Sequence, residues 1–205
     1  MDDTVALGRY KVNKESNKPF DITAALERLI RHIVDNCPEL AHVDAARMII
    51  ACMCARAPGT QGVYASIQPL RFKDGMRTIR KHGRTWTMPE VKFRGKEILY
   101  IIYFAVPRFL EISFQEKLTT IFHELYHINP EFNGDLRRFP GRNYAHGHSR
   151  KAYNERLQPI ISRYLQSPGA EDVTAFLHLR FKDLEERYGG VSGNRLKRNP
   201  KPTAV

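Results

Sequence analysis

The sequence predicts an α+β fold in which a small antiparallel or mixed sheet packs on one central helix, with further helices at its flanks. Two observations support this prediction. Several segments carry apolar residues at every third or fourth position, which is the spacing of one helix face. Other segments are short, rich in Ile, Val and Tyr, and bounded by Pro or Gly, as strands are.

The size of the chain fits one domain. It has 205 residues, 42% of them hydrophobic, which is enough to bury a sizeable core. Residues 1–19 are predicted to be a polar N-terminal arm, and residues 20–188 to form the domain. Residues 189–205 contain Gly, Pro, Lys and Arg but no acidic residue, which indicates a basic disordered tail.

The first predicted elements are a helix and a strand. The helix should begin after Asp21, whose carboxylate can cap it, and end near Asn36 because Pro38 follows. Residues 47–56 form an apolar run in which periodicity alone does not separate helix from strand. A strand is the preferred interpretation.

The middle of the chain predicts hairpins. Residues 63–70 alternate between apolar and polar side chains, which predicts a half-buried antiparallel strand. A Pro-Gly turn signal at residues 58–59 suggests a hairpin with the strand before it. Residues 71–96 are the most basic interior stretch and predict a charge-rich hairpin, in which Trp86 and Phe93 either pack inward or stack on unpaired bases.

A strand at residues 97–104 leads to the central helix, predicted over residues 113–127. Ser113 and Glu116 have the spacing of a capping box, which fixes the start of this helix. Apolar residues at helical spacing follow, so the segment should be amphipathic. These residues are Phe114, Leu118, Ile121, Phe122 and Leu125.

The central helix ends in an H-E-x-x-H motif made of His123, Glu124 and His127. Residues four apart lie on one helix face, so the two histidines can present imidazole nitrogens to one tetrahedral zinc ion. Glu124 lies one step further round the helix, where it can take a proton from zinc-bound water. The alternative is a pair of ordinary surface histidines, but the capped helix and the histidines further downstream favour the zinc site.

A catalytic zinc ion needs a third protein ligand and an open position for water. The metzincin spacing is excluded, because Pro130 and Asn133 stand where that class has Gly and His. Residues 131–144 have the composition of a loop. Helices are predicted from about Ser149 to Tyr164 and from residue 172 to residue 188.

Two histidines at the end of this loop are candidates for the third ligand. His148 is preferred, because it directly precedes a helix that Ser149 can cap and is therefore held more rigidly. His146 is the alternative, and Glu155 in the following helix is a weaker candidate.

The charge of the chain bears on its partners. A net charge of +11 and a pI near 9.7 suggest an anionic partner such as nucleic acid, bound without sequence preference. Arg77, Arg80, Lys81 and residues 195–201 would carry that contact. A basic surface that meets only solvent is the alternative. No membrane partner is expected, since the longest apolar run, residues 98–106, is too short to span a bilayer.

Cysteine usage predicts a reducing compartment. Cys37, Cys52 and Cys54 are odd in number and form no C-x-x-C pair. The first residues are acidic and have no apolar run, so no secretory signal is expected. These features predict a cytoplasmic protein.

The run of residues 123–138, followed by His146-Gly-His148, resembles the phage and bacterial metallopeptidase family, a minimal zincin family related to SprT-like proteins. Residues 39–47 and 65–72 resemble the same family. The resemblance therefore covers roughly residues 38–164. The chain lacks the C-x-x-C pairs of the zinc ribbon in typical SprT proteins, so the resemblance does not imply a ribbon-based role on DNA.

This resemblance implies a zincin-like fold, with a sheet beside the zinc helix. It also implies zinc ligands at His123 and His127, a base at Glu124, and a third ligand at His148 or His146.

The sequence thus predicts a zinc metallopeptidase that hydrolyses peptide bonds in a protein or peptide substrate, with Glu124 as general base. The competing hypothesis is a basic nucleic-acid-associated or regulatory protein that keeps the scaffold without peptidase activity. About one zinc ion per chain, lost with activity on chelation, would favour the enzyme.

The third ligand gives a testable prediction. We expect His148→Ala to lose zinc, because removal of a direct ligand leaves the metal only two protein ligands. We expect His146→Ala to keep zinc, because loss of a residue that does not touch the metal lowers the affinity only about 10- to 100-fold. Zinc content of the two purified variants measures this. If His146→Ala is metal-free and His148→Ala is loaded with zinc, the assignment is reversed. If both variants retain full zinc, Glu155 or Asp135 becomes the candidate for the third ligand.

Overall fold

The computed structural model describes residues 7–10, 18–54, 62–138 and 150–205 and has mixed α+β structure with small sheets, as the sequence predicts. The helices are α1 (Ile22–Asn36), α2 (Arg108–Glu111), α3 (Phe114–Tyr126), α4 (Arg150–Tyr164), α5 (Ala170–Thr174) and α6 (Phe181–Tyr188). The strands are β1 (Leu7–Tyr10), β2 (Phe20–Asp21), β3 (Met48–Cys54), β4 (Ala65–Pro69), β5 (Thr78–Lys81), β6 (Arg84–Thr87), β7 (Lys92–Phe93), β8 (Lys96–Glu97), β9 (Tyr100–Val106), β10 (Val191–Leu196) and β11 (Thr203–Ala204).

The central sheet has the order β3, β9, β4. Strand β9 pairs in parallel with β3 and antiparallel with β4, so Ile102 lies between Ile50 and Ile67. Every residue of β9 is buried, which suits a strand covered on both faces. One face of the sheet packs on α1 and α3, and the other belongs to a smaller apolar cluster that includes Ile101 and Leu196.

The hairpin predicted between residues 47–56 and 63–70 is wrong. Both segments contain strands, but β9 lies between β3 and β4. The physical reason is burial: β9 is apolar on both faces and takes the centre, whereas the half-buried β4 takes an edge. The turn predicted at residues 58–59 lies outside the described residues.

The charge-rich hairpin predicted within residues 71–96 is confirmed as β5 and β6. His82 and Gly83 form its turn with φ angles of 52° and 74°, the left-handed conformation that such two-residue turns require. Trp86 is half-buried on β6.

The disordered tail predicted for residues 189–205 is wrong. Strand β10 pairs antiparallel with β1, inside the predicted N-terminal arm, and in parallel with β2, while β11 pairs with β6. Val191, Gly193 and Leu196 are buried, so the segment does bury surface despite its basic composition. Gly193 packs so closely that a Cβ there would lie 2.7 Å from the Cys52 sulfur atom.

The single helix predicted over residues 172–188 is also wrong. Its first part is α5 and a 3₁₀ turn over residues 175–178, and α6 begins only at Phe181. The break exposes two carbonyl groups, and the buried ammonium of Lys117 donates to both, at 2.8 Å to Leu177 and 2.7 Å to Leu179. Burial lowers the pKa of Lys117 to about 8.

Cys37 and Cys52 are buried free thiols, and burial raises their pKa values to about 11 and 12 respectively. They act as small apolar residues of the core. None of the helices in the described part of the chain combines the length and apolar character that crossing a bilayer requires.

Candidate metal centre

The start of α3 is set by the predicted capping box. The Ser113 hydroxyl oxygen accepts a hydrogen bond from the Glu116 backbone N–H at 3.3 Å, and the Glu116 carboxylate accepts one from the Ser113 N–H at 3.0 Å. The hydrogen bonds from the Ser113 side chain and backbone lower the pKa of Glu116. With its start fixed in this way, α3 buries an apolar face and carries the H-E-x-x-H motif at its C-terminal end.

The end of α3 is held by Arg137. Its backbone N–H donates to the His127 carbonyl at 2.7 Å, and its Nε donates to the Tyr126 carbonyl at 2.9 Å. These carbonyls have no hydrogen-bond donor within the helix, so Arg137 supplies the donors that they would otherwise lack. Its guanidinium lies 4.2 Å from the centre of the Tyr126 ring, which places a cation beside the motif.

The two motif histidines converge. The Nε2 atoms of His123 and His127 are 3.0 Å apart, and each residue is only 5% exposed. Two imidazole nitrogens that share a tetrahedral zinc ion at about 2.0–2.1 Å are about 3.3–3.4 Å apart. The observed pair is close to that separation, so this donor set fits zinc.

Helix α4 orients the first of these histidines. The Asn154 side-chain oxygen lies 2.7 Å from Nδ1 of His123. An amide oxygen only accepts hydrogen bonds, so Nδ1 must carry the proton and Nε2 keeps its lone pair for a metal. Asn154 therefore selects the metal-binding tautomer of His123.

Tyr153 packs on the second histidine. Its ring stacks on His127 with 5.1 Å between ring centres, and its hydroxyl lies 3.4 Å from Nδ1 of His127. Burial raises the pKa of Tyr153, with Glu124 adding to the rise, so the phenol stays neutral. Glu124 is itself only 6% exposed, and its charge is near enough to Tyr153 to contribute to this rise in pKa.

The described residues do not supply a third ligand, since no cluster of three His, Cys, Asp or Glu side chains occurs among them. Asp135 is buried but used elsewhere: its carboxylate accepts two bonds from Arg138 and backbone N–H bonds from Leu136 and Asp74. Glu155 is exposed on α4.

His146 and His148 lie outside the described residues. The choice between them as the third ligand therefore stays a prediction.

Arg137, Tyr153 and Asn154 were not predicted from the sequence as parts of this site. A signal for Asn154 was present, because it lies three and seven residues before Leu157 and Ile161, on the buried stripe of α4. A polar residue on an apolar stripe usually has a buried partner.

These observations first define a class: a mixed α+β protein whose buried helix presents a converging histidine pair of the H-E-x-x-H type. Residues 18–160 match the family model described as "Putative phage metallopeptidase", so the chain belongs to that phage-related family of metallopeptidases. No curated protein and no solved structure matches the chain.

Asn154 gives a testable prediction for this site. Asn154→Ala should weaken zinc binding about 10- to 100-fold, because His123 loses the acceptor that fixes its tautomer. Asn154→Asp keeps an acceptor and should retain most of the affinity. A competitive chelator titration measures all three proteins.

The matched control is Gln158→Ala. Gln158 lies one turn further along α4 and bonds Gln115 and Thr119 of α3 without touching either histidine. Equal losses in Asn154→Ala and Gln158→Ala would mean that helix packing alone, and not the tautomer, sets the affinity.

Proposed function

We propose that this protein is a zinc-dependent metallopeptidase with Glu124 as general base. The observation that carries the proposal is the 3.0 Å approach of the two Nε2 atoms, with His123 held in its metal-binding tautomer by Asn154. The family supports the same reaction class, since it is described as a metallopeptidase family.

The proposed ligands are His123, His127 and His148. Tyr153 and Asn154, near the start of α4, contact the histidine pair and follow His148 by only five and six residues. This short separation along the chain supports His148 as a ligand. When bound, zinc would supply a Lewis acid that polarises the scissile carbonyl and lowers the pKa of water to about 7.

Glu124 moves the proton in this proposal. Its carboxylate would accept the proton of the attacking water and then deliver it to the leaving amine. Its burial suits this role, because bulk water is kept away from the group that exchanges the proton.

Strand β4 is the proposed place for the substrate backbone. It is an edge strand next to α3, and within the described residues no strand pairs with its outer side. An extended peptide could add there through main-chain hydrogen bonds, which hold any sequence in extended form.

Glu124→Gln tests the reaction. This variant should bind zinc like the wild type but lose about 10²- to 10⁴-fold in turnover, because an amide cannot accept the proton while both imidazoles remain. Zinc content and the hydrolysis of a fluorogenic peptide library are measured together. Glu171→Gln, at an exposed position on α5, is the matched control and should keep full activity. Equal hydrolysis by wild type and Glu124→Gln would refute the peptidase.

A further inference from the structure

A second site lies on the sheet face that packs away from α3. A cleft of about 710 Å³ opens there over Gln68 of β4 and Tyr103 of β9. Tyr103 belongs to the apolar cluster on that face, whereas α3 packs on the opposite one. The cleft is therefore separate from the histidine pair.

The charged residues that line this cleft, among those that the structure describes, are all positive. They are Arg195, Lys197, Arg198 and Lys201. All four are exposed, and none pairs with a carboxylate in the parts of the chain that the structure describes. By contrast, Arg77 on the neighbouring hairpin is neutralised by Glu90 and Glu97.

The segment that carries these cations is anchored at both ends and in the middle. Leu196 is buried at its start, and β11 pairs with β6 at its end. Between them, the Gln68 amide donates to the Pro200 carbonyl, and the Tyr103 hydroxyl donates to the Gln68 oxygen at 3.1 Å. The backbone that carries the charges is thus held over the cleft by the fold, which lowers the entropy cost of binding a ligand.

We propose that this cleft binds the phosphate backbone of single-stranded nucleic acid. Four cations that share one concave surface match a chain of regularly spaced negative charges. Lys81 and Arg84 lie opposite each other on the hairpin that β11 joins, and both are exposed and unpaired within the described chain, so this face of the hairpin adds to the positive surface. The half-buried Trp86 on the same hairpin adds an aromatic ring next to that surface.

The size of the cleft favours a single strand over a duplex. Its volume equals that of a cube about 9 Å on a side. The major groove of a duplex alone is about 12 Å wide, so a whole duplex could only touch the rim. A single strand can enter with successive phosphates.

The test uses the full-length protein and a fluorescein-labelled single-stranded oligonucleotide, with fluorescence anisotropy measured between 50 and 200 mM salt. Neutralisation of four phosphates on a single strand predicts a slope of log K against log salt of about −3. Replacing Lys197→Gln and Arg198→Gln together should weaken binding at least tenfold and reduce the slope to about −1.4. Both residues are exposed, so the double variant should fold like the wild type.

The matched control changes net charge equally but away from the cleft, by Lys73→Gln with Lys182→Gln, two exposed lysines. It should bind within about twofold of the wild type. Chelation of zinc should also leave binding unchanged, so this result does not depend on whether the peptidase proposal holds.

Three results would overturn the proposal. The first is no salt-dependent binding, and the second is an equal loss in both double variants, which would mean that only net charge matters. The third is equal or tighter binding of a duplex or of polyglutamate, which would assign the cleft to a different polyanion.

Discussion

Two imidazoles and a carboxylate lie buried at the C-terminal end of the amphipathic helix α3, and removing such groups from water costs free energy unless partners replace the water. For the histidines the partners come from α4, where Asn154 bonds His123 and Tyr153 packs on His127. The docking of α4 on α3 therefore does more than bury apolar surface. It also fixes which nitrogen of His123 keeps its lone pair.

The elements that surround α3 and α4 determine the position of the H-E-x-x-H motif. Helix α3 follows the fully buried strand β9, from which the short helix α2 separates it. It starts at the Ser113 capping box, and at its end Arg137 donates hydrogen bonds to the last carbonyls. Lys117, on the same helix, ties it to the break between α5 and α6. With both ends and one side of α3 held, the histidines are positioned by rigid elements, which is what a metal site of defined geometry requires.

Local features of the fold were predictable from the sequence, and features that depend on distant partners were not. The Asp21 cap, the Ser113 capping box and the strands of the sheet follow from neighbouring residues alone. The insertion of β9 between β3 and β4, the pairing of β10 with β1, and the helix break at Lys117 each involve residues far apart in the chain. The H-E-x-x-H pair could be named from spacing, but Asn154 acts across two helices, and the third ligand remains a prediction.

The central claim is that His123 and His127 hold the metal. It is tested most directly by X-ray absorption spectroscopy at the zinc edge, measured on the zinc-loaded wild-type protein. We expect only nitrogen and oxygen atoms bound to the zinc, at about 2.0–2.1 Å, together with the scattering from more distant atoms that imidazole rings produce. A sulfur shell at about 2.3 Å would instead place zinc on Cys37, Cys52 or Cys54. Sulfur ligands, or a spectrum without imidazole scattering, would contradict zinc binding by His123 and His127.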